Sequence, residues 1–363
     1  MGNDICFIFN YASHYRENIY KKIDKNFDCD IYFGDKLSAK IKPMDISVLS
    51  NFRGFLRNTI LSSKFYWQSG VISLAFKPYK KYVCTGEVNN ISLYILWLLV
   101  KLNPRKKTIM WGHGAYGKEG RLRFLLTRFM LWLSDIYMTY GEYGKNVLIE
   151  KGIPTSKLAT IYNSLDYEKQ LAVRKNLIKS DIYTTDNNLI FIGRLTPQKR
   201  LDLIFDAMSI LKERGIDTNL TLLGDGEIRD ELYYYSKQKG LEDNVNFFGA
   251  CYDEKIIADH IYNADLCVSP GNIGLTAMHV MMYGCPAVTH NDFKWQMPEF
   301  EAIKEGKTGC FFQKDNADSL ADSIENWLEY SNENRDLIRQ NCYDEIDLKW
   351  NPNIQIKLLK EIL

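Results

Sequence analysis

Short apolar runs of three to five residues recur along this chain, most of them followed by a stretch with helical spacing, in two sets separated by a polar break. The first set is Ile5–Phe9, Tyr82–Thr85, Thr108–Trp111, Ile136–Thr139 and Thr160–Tyr162, with helix-like segments at 90–102, 121–133 and 143–151. The second set is Leu189–Ile192, Leu220–Leu223, Val245–Phe248, Leu266–Ser269 and Ala287–Thr289. Between its members lie further amphipathic stretches, such as 199–213, where Leu201, Ile204, Phe205, Met208 and Leu211 share one stripe. Strands separated by helices join through right-handed crossovers into parallel sheets. The break at 167–188 contains Thr184-Thr185-Asp186-Asn187-Asn188 and reads as a linker plus an exposed turn. A chain of 363 residues is too long for one core. The expected fold class is therefore α/β, with two doubly wound Rossmann-like domains facing across a cleft and ligands beyond the carboxyl ends of the strands. Domain one is 1–166 and domain two is 167–345. From about Ile324 the chain reads as helices, and the last, about 346–363, is expected to pack back on domain one.

Charge and cysteine usage narrow the function classes. The formal net charge of +1 lacks the basic excess of a nucleic-acid binder. The cysteines, at positions 6, 29, 84, 251, 267, 285, 310 and 342, show no metal-ligand spacing, so no metal site is expected. Several lie in apolar runs, as reduced core thiols of a cytoplasmic protein would. Met1-Gly2-Asn3-Asp4 leads straight into a strand-like run, with no signal peptide and, with Cys6 where Ser or Thr is needed, no complete myristoylation signal. The longest apolar stretch, Ile91 to Val100, is too short to span a bilayer.

Four junctions in the second half carry chemistry. In Gly193-Arg194-Leu195-Thr196-Pro197-Gln198-Lys199-Arg200 a strand ends and a helix begins, placing Arg194 and Lys199 at the sheet edge. Two cations there can clamp a diphosphate and stabilise it as it leaves, although an exposed basic turn reads the same way. Leu223-Gly224-Asp225-Gly226 permits a tight turn with close backbone approach, and Gly249 after an aromatic strand end suits a contact to a nucleobase edge; plain turn chemistry explains both as well. Ser269-Pro270-Gly271-Asn272-Ile273-Gly274-Leu275-Thr276-Ala277-Met278-His279 is a strand, a glycine loop and a helix start. The amides of Gly274, Leu275 and Thr276, with the Thr276 hydroxyl, are candidate phosphate donors.

In this order and spacing, the segments from about Asn163 to Gly309 resemble the donor-binding domain of retaining GT-B glycosyltransferases of family 4. Gly193-Arg194-Leu195 with Gln198-Lys199 is similar to that family's phosphate clamp, and Leu223-Gly224-Asp225-Gly226 to its "GDG" turn. Gly249, Tyr262-Asn263-Ala264-Asp265, Ser269-Pro270, Gly284, Pro286, Glu301 and Gly306-Lys307-Thr308-Gly309 match later landmarks, and Asn163-Ser164-Leu165-Asp166 resembles its interdomain turn. The resemblance implies a donor site made by Gly193, Arg194, Lys199, Gly224, Gly249, Asn272, Gly274, Leu275, Thr276, His279 and His290. One departure is large. The family usually carries two glutamates around the glycine loop, the first contacting the donor sugar and the second the ribose hydroxyls; here Gly271 and His279 stand in those places. Three readings follow: different donor binding with Asn272 and His279 substituting, a deoxyribose nucleotide such as a dTDP sugar, or an inactive protein.

The loop Thr289-His290-Asn291-Asp292 with Lys294-Trp295-Gln296 fits sugar recognition by stacking and hydroxyl bonding, or a surface loop with Trp295 packed inward. In the first half, Trp111-Gly112-His113-Gly114 follows a strand, and by resemblance His113 faces the donor sugar from the acceptor domain. Asn10-Tyr11-Ala12-Ser13-His14-Tyr15-Arg16 lies in the first βα loop, which lines the family's acceptor cleft; His14 and Arg16 are acceptor-side candidates, Arg16 for an acceptor phosphate. Segments 52–81 and 121–133 mix aromatics with Arg and Lys, as core packing or contact with an anionic membrane would. The expected activity is retaining, metal-independent transfer of a sugar from a UDP, GDP or dTDP donor to a glycan or polyprenyl-linked acceptor, without further cofactor, in bacterial surface-polysaccharide or glycan assembly, in the cytoplasm and at the inner face of its membrane. His113, Arg194 and Lys199 are the expected catalytic residues. A sugar-nucleotide epimerase of the same fold and a non-catalytic sugar-nucleotide-binding protein are the rival classes.

Overall fold

The computed structural model describes residues 3–36, 41–63, 65–180, 182–183 and 186–363. Met1 and Gly2 of the amino-terminal run, and Thr184 and Thr185 of the polar turn, lie outside the described residues. The chain divides into two compact units, one of 1–166 with 351–363 and one of 167–350.

The first unit contains β1 (Ile5–Phe9), α1 (Glu17–Asn26), β2 (Cys29–Gly34), β3 (Phe52–Ile60), β4 (Tyr66–Ser69), β5 (Lys81–Thr85), α2 (Ile91–Lys101), β6 (Lys107–Gly112), α3 (Arg121–Leu133), β7 (Ile136–Thr139), α4 (Glu142–Glu150) and β8 (Leu158–Thr160). Its sheet runs β4-β3-β2-β1-β5-β6-β7-β8. Only the edge pair β3–β4 is antiparallel. Both faces of the central strands are buried. Cys6 and Ile8 of β1 join one core with Tyr82 and Trp97. Phe7 and Phe9 join the other with Tyr20, Phe33 and Trp111. That two-sided burial is why these strands read as near-continuous apolar runs.

Three strands of this unit are not visible as such in the sequence. In β2 Asp30 interrupts the apolar run, because its carboxylate accepts from Asn3 Nδ2 and Arg53 Nε, each at 2.8 Å. Strands β3 and β4 form an edge hairpin whose exposed face carries Arg53 and Arg57, while on the inner face Asn58 is buried and donates to Asn10 O at 3.0 Å and Lys36 O at 2.8 Å. The predicted strand Thr160–Tyr162 stops at Thr160, because Tyr162 sits at φ 60, outside any strand conformation.

The second unit contains α5 (Tyr167–Arg174), β9 (Asn188–Ile192), α6 (Asp202–Glu213), β10 (Asn219–Leu223), α7 (Arg229–Gln238), β11 (Val245–Phe247), α8 (Glu254–Asn263), β12 (Leu266–Ser269), α9 (Leu275–Met282), β13 (Ala287–His290), β14 (Gly309–Phe312) and α10 (Ala317–Leu348). The sheet is wholly parallel, in the order β11-β10-β9-β12-β13-β14. Helix α6 buries Leu203, Ile204, Phe205, Met208 and Leu211, each worth about 1.5–3 kcal/mol for a fully buried large apolar side chain. A bidentate pair, Arg174 Nη2–Asp347 Oδ2 at 2.7 Å and Nη1–Oδ1 at 3.1 Å, ties α5 to α10.

The terminal helix α11 (Pro352–Ile362) starts later than the 346 boundary predicted for it, and 346–348 belong to α10. Asn351 sets the break: its side chain accepts from the amides of Asn353 and Ile354, and Pro352 takes the first helical position. Helix α11 belongs to the first unit, where Ile356 and Leu359 enter the core of Ile19, Tyr20 and Ile23. Seven of the eight cysteines are buried and all are unpaired. Among the described residues no helix is long and apolar enough to cross a membrane.

Candidate active site

In the second sheet the winding reverses between β9 and β12, and the crevice beyond their carboxyl ends is where open α/β sheets take ligands. Beyond β9 the chain turns at Gly193, at φ 144. Its neighbour Gly224 leaves no room for a side chain: a Cβ there would lie 1.8 Å from the Gly193 carbonyl oxygen. The turns after β9 and β10 are joined by Gly193 N donating to Leu223 O at 3.2 Å and Leu195 N to Asp225 O at 3.0 Å. Backbone-to-backbone packing therefore accounts for Gly224 on its own. Gly249 stands at φ 89 with open space where a side chain would be, just ahead of α8.

Residues Pro197–Lys199 form a single 3-10 turn. Lys199 Nζ donates to Asn272 O at 2.6 Å and Asn272 Oδ1 at 3.1 Å, so Asn272 aims this ammonium across the crevice. Burial first, and then the nearby Arg194 cation, push the Lys199 pKa down. Arg194 is exposed and has neither hydrogen bond nor ion pair among the described residues. A half-buried ammonium disfavoured by a neighbouring cation, with no acidic partner for either among the described residues, is suited to receive an anion.

Gly271 explains the first missing glutamate. Its amide donates to Lys199 O at 2.9 Å, and a Cβ would lie 2.2 Å from Gln198 O and 2.7 Å from Lys199 Cα. The clamp backbone occupies the space a side chain needs. Gly274, at φ 43, then opens α9, whose first amides have no helical partners.

Three side chains expected to meet the ligand have partners within the protein. The Thr276 hydroxyl donates to Ile192 O at 3.2 Å, so its proton holds α9 to β9 instead of a phosphate. His290 is buried, its Nδ1 accepts from the Asp292 amide at 3.2 Å, and burial, then Lys314, push its pKa down to about 4; it braces a turn. Gln296 is buried beneath the glycine loop, accepting from Ile273 N at 2.9 Å and donating to Thr289 Oγ1 at 2.8 Å. Trp295 is partly exposed with Lys314 Nζ 5.0 Å from its ring centre. His279 points along α9 to Glu254, with Nε2 2.8 Å from Oε1.

In the first unit, His113 follows β6 in a loop whose shape is set by Gly114: a Cβ there would lie 2.9 Å from the Gly144 carbonyl carbon. The imidazole sits edge-on to Tyr140 at 5.0 Å. Part of its surface is open, yet dense surrounding protein and then Arg16 push its pKa down to about 4, so the ring is neutral. It lines a cavity of about 240 Å³ with Glu87 and Glu119. Burial pushes the Glu87 pKa up, against donors from Tyr66 and Asn10. Arg16 does not present a free surface cation. Its guanidinium lies 5.0–5.9 Å from the ring centres of Phe9, Tyr20, Trp111 and Tyr140, with Nε and Nη2 buried and unbonded. His14 is exposed, its Nδ1 3.1 Å from Lys42 O.

Thus Arg194, Lys199, Asn272 and Gly274–Thr276 gather around the β9–β12 crevice, while His279 turns from it toward α8. Glu254, Glu87 and the bracing role of Gln296 were not anticipated. The only sequence signal for Glu254 is its position after Asp253, the side chain that caps α8 at the carboxyl edge of the sheet.

Comparison with known proteins bears on the family and the fold. Residues 173–343 match the family model described as "Glycosyl transferases group 1". An uncharacterized 41.2 kDa protein in the cps region of Klebsiella pneumoniae is 22% identical over 59% of this chain and 58% of its own length. A GDP-mannose-dependent alpha-(1-6)-phosphatidylinositol dimannoside mannosyltransferase of Mycobacterium tuberculosis is 33% identical over 28% of this chain and 26% of its own. These matches span about half or less of the relatives' lengths. Among solved structures, the apo lipopolysaccharide outer core galactosyltransferase WaaB superposes with a TM-score of 0.73 at 16% identity, covering 98% of both chains. Anabaena HepE in complex with UDP and glucose gives 0.67 at 14% identity over 99% of each. The fold is GT-B, and the group 1 domain supports a glycosyl transfer role.

Proposed function

We propose that this chain, with its GT-B fold and group 1 domain, is a retaining, metal-independent glycosyltransferase of family 4 that moves a hexose from a nucleotide sugar to a glycan or lipid-linked hydroxyl. The carrying observation is the clamp: Arg194 free of any protein anion, Lys199 aimed by Asn272, and the open start of α9 at one crevice. The second unit binds the donor. Arg194 and Lys199 stabilise the diphosphate as its bond to the sugar breaks, and the Gly274–Thr276 amides share that charge. The acceptor hydroxyl attacks from the face the leaving group vacates, without an obligatory enzyme nucleophile. The first unit binds the acceptor, and neutral His113 positions its hydroxyl. HepE, crystallised with UDP and glucose, supports a UDP sugar, and the Mycobacterium relative's name a GDP sugar; a dTDP sugar is the third candidate. The cps-region relative supports a role in bacterial surface polysaccharide, carried out in the cytoplasm. A thermal-shift panel of UDP, GDP, dTDP and CDP sugars tests the donor site. One base should raise Tm by several degrees, and stabilisation by none overturns the reading.

An anionic membrane belongs to the same proposal. Helices α2 and α3 pack together, with Tyr94 stacked on Phe129 at 5.9 Å and Lys101 donating to Trp132 O at 2.8 Å. Ile91, Ile95, Leu98 and Leu102 leave one exposed stripe on the first, and Leu122, Leu125, Phe129 and Trp132 another on the second; Leu102 is 81% and Leu122 74% accessible. Lys101, Arg105, Arg121, Arg123 and Arg128 are exposed around them, and Glu119 is the sole acid from Ile91 to Leu133. Apolar wedges with a basic rim suit an anionic lipid surface. Vesicles containing phosphatidylglycerol should sediment the protein, and phosphatidylcholine vesicles should not. Leu122→Ser with Trp132→Ser should weaken sedimentation at least ten-fold with donor binding unchanged. Equal binding to both vesicle types, or dimerisation through this face in sedimentation velocity, overturns it.

A further inference from the structure

We propose that Glu254, on α8, receives the ribose hydroxyls of the donor nucleotide, the task for which α9 carries no carboxylate. The inference rests on the donor site proposed above and adds a residue to it.

Glu254 is held in an uncommon way. Its Oε1 accepts from three side chains: Tyr283 OH at 2.6 Å, His279 Nε2 at 2.8 Å and Gln170 Nε2 at 3.1 Å. Two of these donors come from α9 and its C-cap residue and the third from α5, so two separate segments converge on one oxygen. Burial by itself would raise the pKa, but the bond from His279, its charge, and the bonds from Tyr283 and Gln170 bring it down to about 2. The group is an anion at any working pH. Its Oε2 makes no hydrogen bond within the described protein and is not a buried atom. One oxygen is thus fixed and the other is offered.

It is offered into space. Glu254 lines a groove of about 1110 Å³ between α5 and the start of α8, walled by Val173, Leu177 and Ile256, with Tyr252 exposed beside it. Helix α8 is the next element after β11, joined to it by residues 248–253, so its start lies on the carboxyl side of the sheet, as the clamp does. From Gly274 to His279 is five residues, roughly 7–8 Å along the helix axis. A diphosphate held at the start of α9 therefore has its nucleoside to extend toward the His279–Glu254 pair.

Chemistry selects the ligand group. A carboxylate only accepts hydrogen bonds, and as an anion it repels phosphate. Its partner is a neutral donor on the part of the ligand that follows the phosphates, and in a nucleotide the first such donors are the ribose hydroxyls. This assigns His279 a positioning role: it orients Glu254 and does not itself meet the sugar.

The test compares matched ribo- and 2′-deoxyribonucleoside diphosphates by calorimetric titration, using UDP, GDP and dUDP, dGDP. The wild type should bind the ribo form about ten-fold more tightly. Glu254→Gln keeps an oxygen for the three donors but replaces the offered acceptor with an NH2. It should lower ribonucleotide affinity about ten-fold, weaken the deoxy form, which keeps only the 3′-hydroxyl, far less, and bring their ratio close to one. His279→Gln should reduce the ratio in the same direction. If Glu254→Gln lowers Tm and weakens both forms equally, the residue only braces helices and the inference fails. It fails also if the wild type shows no preference, prefers the deoxy form, or keeps its preference in the variant. If the variant does not fold, an undiminished ratio in Tyr283→Phe together with His279→Gln overturns it. Binding of no nucleotide by the wild type would instead sink the donor-site reading.

Discussion

Lys199→Ala should reduce sugar transfer, and donor hydrolysis without acceptor, by about 10²–10³-fold, the usual cost of removing one preorganised donor to a developing anion. The size follows from preorganisation. Lys199 is held by both oxygens of Asn272 before any ligand arrives, so no reorientation is needed as negative charge grows on the leaving diphosphate. Its depressed pKa, from burial and from Arg194, marks a cation that gains most when an anion enters. The loss should fall on kcat more than on donor KM, because the bridging charge is greatest in the transition state. Lys199 packs no apolar core, so Tm should move by no more than about 2–4 °C, the shift for about 1 kcal/mol in a unit of this size. Release of the nucleoside diphosphate and a thermal melt measure the two effects. Unchanged turnover would remove the clamp from the mechanism.

Gly271→Glu, which restores the carboxylate the resemblance leads one to expect, should abolish nucleotide binding instead of improving it. A Cβ at 271 would lie 2.2 Å from Gln198 O, 2.7 Å from Lys199 Cα and 2.9 Å from Lys199 C, all backbone atoms that cannot rotate aside. The clamp turn must move, and with it Lys199. Overpacking of this kind costs typically about 1–3 kcal/mol, and backbone contacts put this case at the upper end. The corresponding Tm loss is about 6–12 °C. Gly271→Ala should share the fall, because the clash begins at Cβ. Normal nucleotide binding with an unchanged Tm in Gly271→Glu would show that the crowding is not real.

These two substitutions mark where sequence reading succeeds and stops. The clamp is legible because its residues are contiguous: a buried strand, a glycine, and two cations before a helix lie within Phe191–Lys199. Gly271 is equally visible as a departure, but its cause lies in Gln198 and Lys199, over seventy positions away, whose backbone fills its side-chain space. His290, Gln296 and the Thr276 hydroxyl looked like ligand contacts because polar residues near a strand end read alike whether they face a ligand or brace a loop. Only their partners, such as Ile192 O for Thr276, separate the two cases.

The amino-acid sequence by itself determined the α/β class, the parallel strands with two buried faces, and the turn that carries Arg194 and Lys199 after β9. Each of these is a property of local periodicity or of adjacent residues, and hydrophobic burial on both faces of a strand writes itself directly into the chain. Tertiary structure decided the rest. It set the edge hairpin β3–β4, whose alternation is diluted by an exposed face. It set the break before α11 and the cage around Arg16. It also gave the carboxylate at Glu254 its environment: His279 and Tyr283 from α9 and its end, and Gln170 from α5, reach one oxygen. Convergence of side chains through space leaves no spacing in sequence, and it is convergence that fixes which groups are held and which are left open to a ligand.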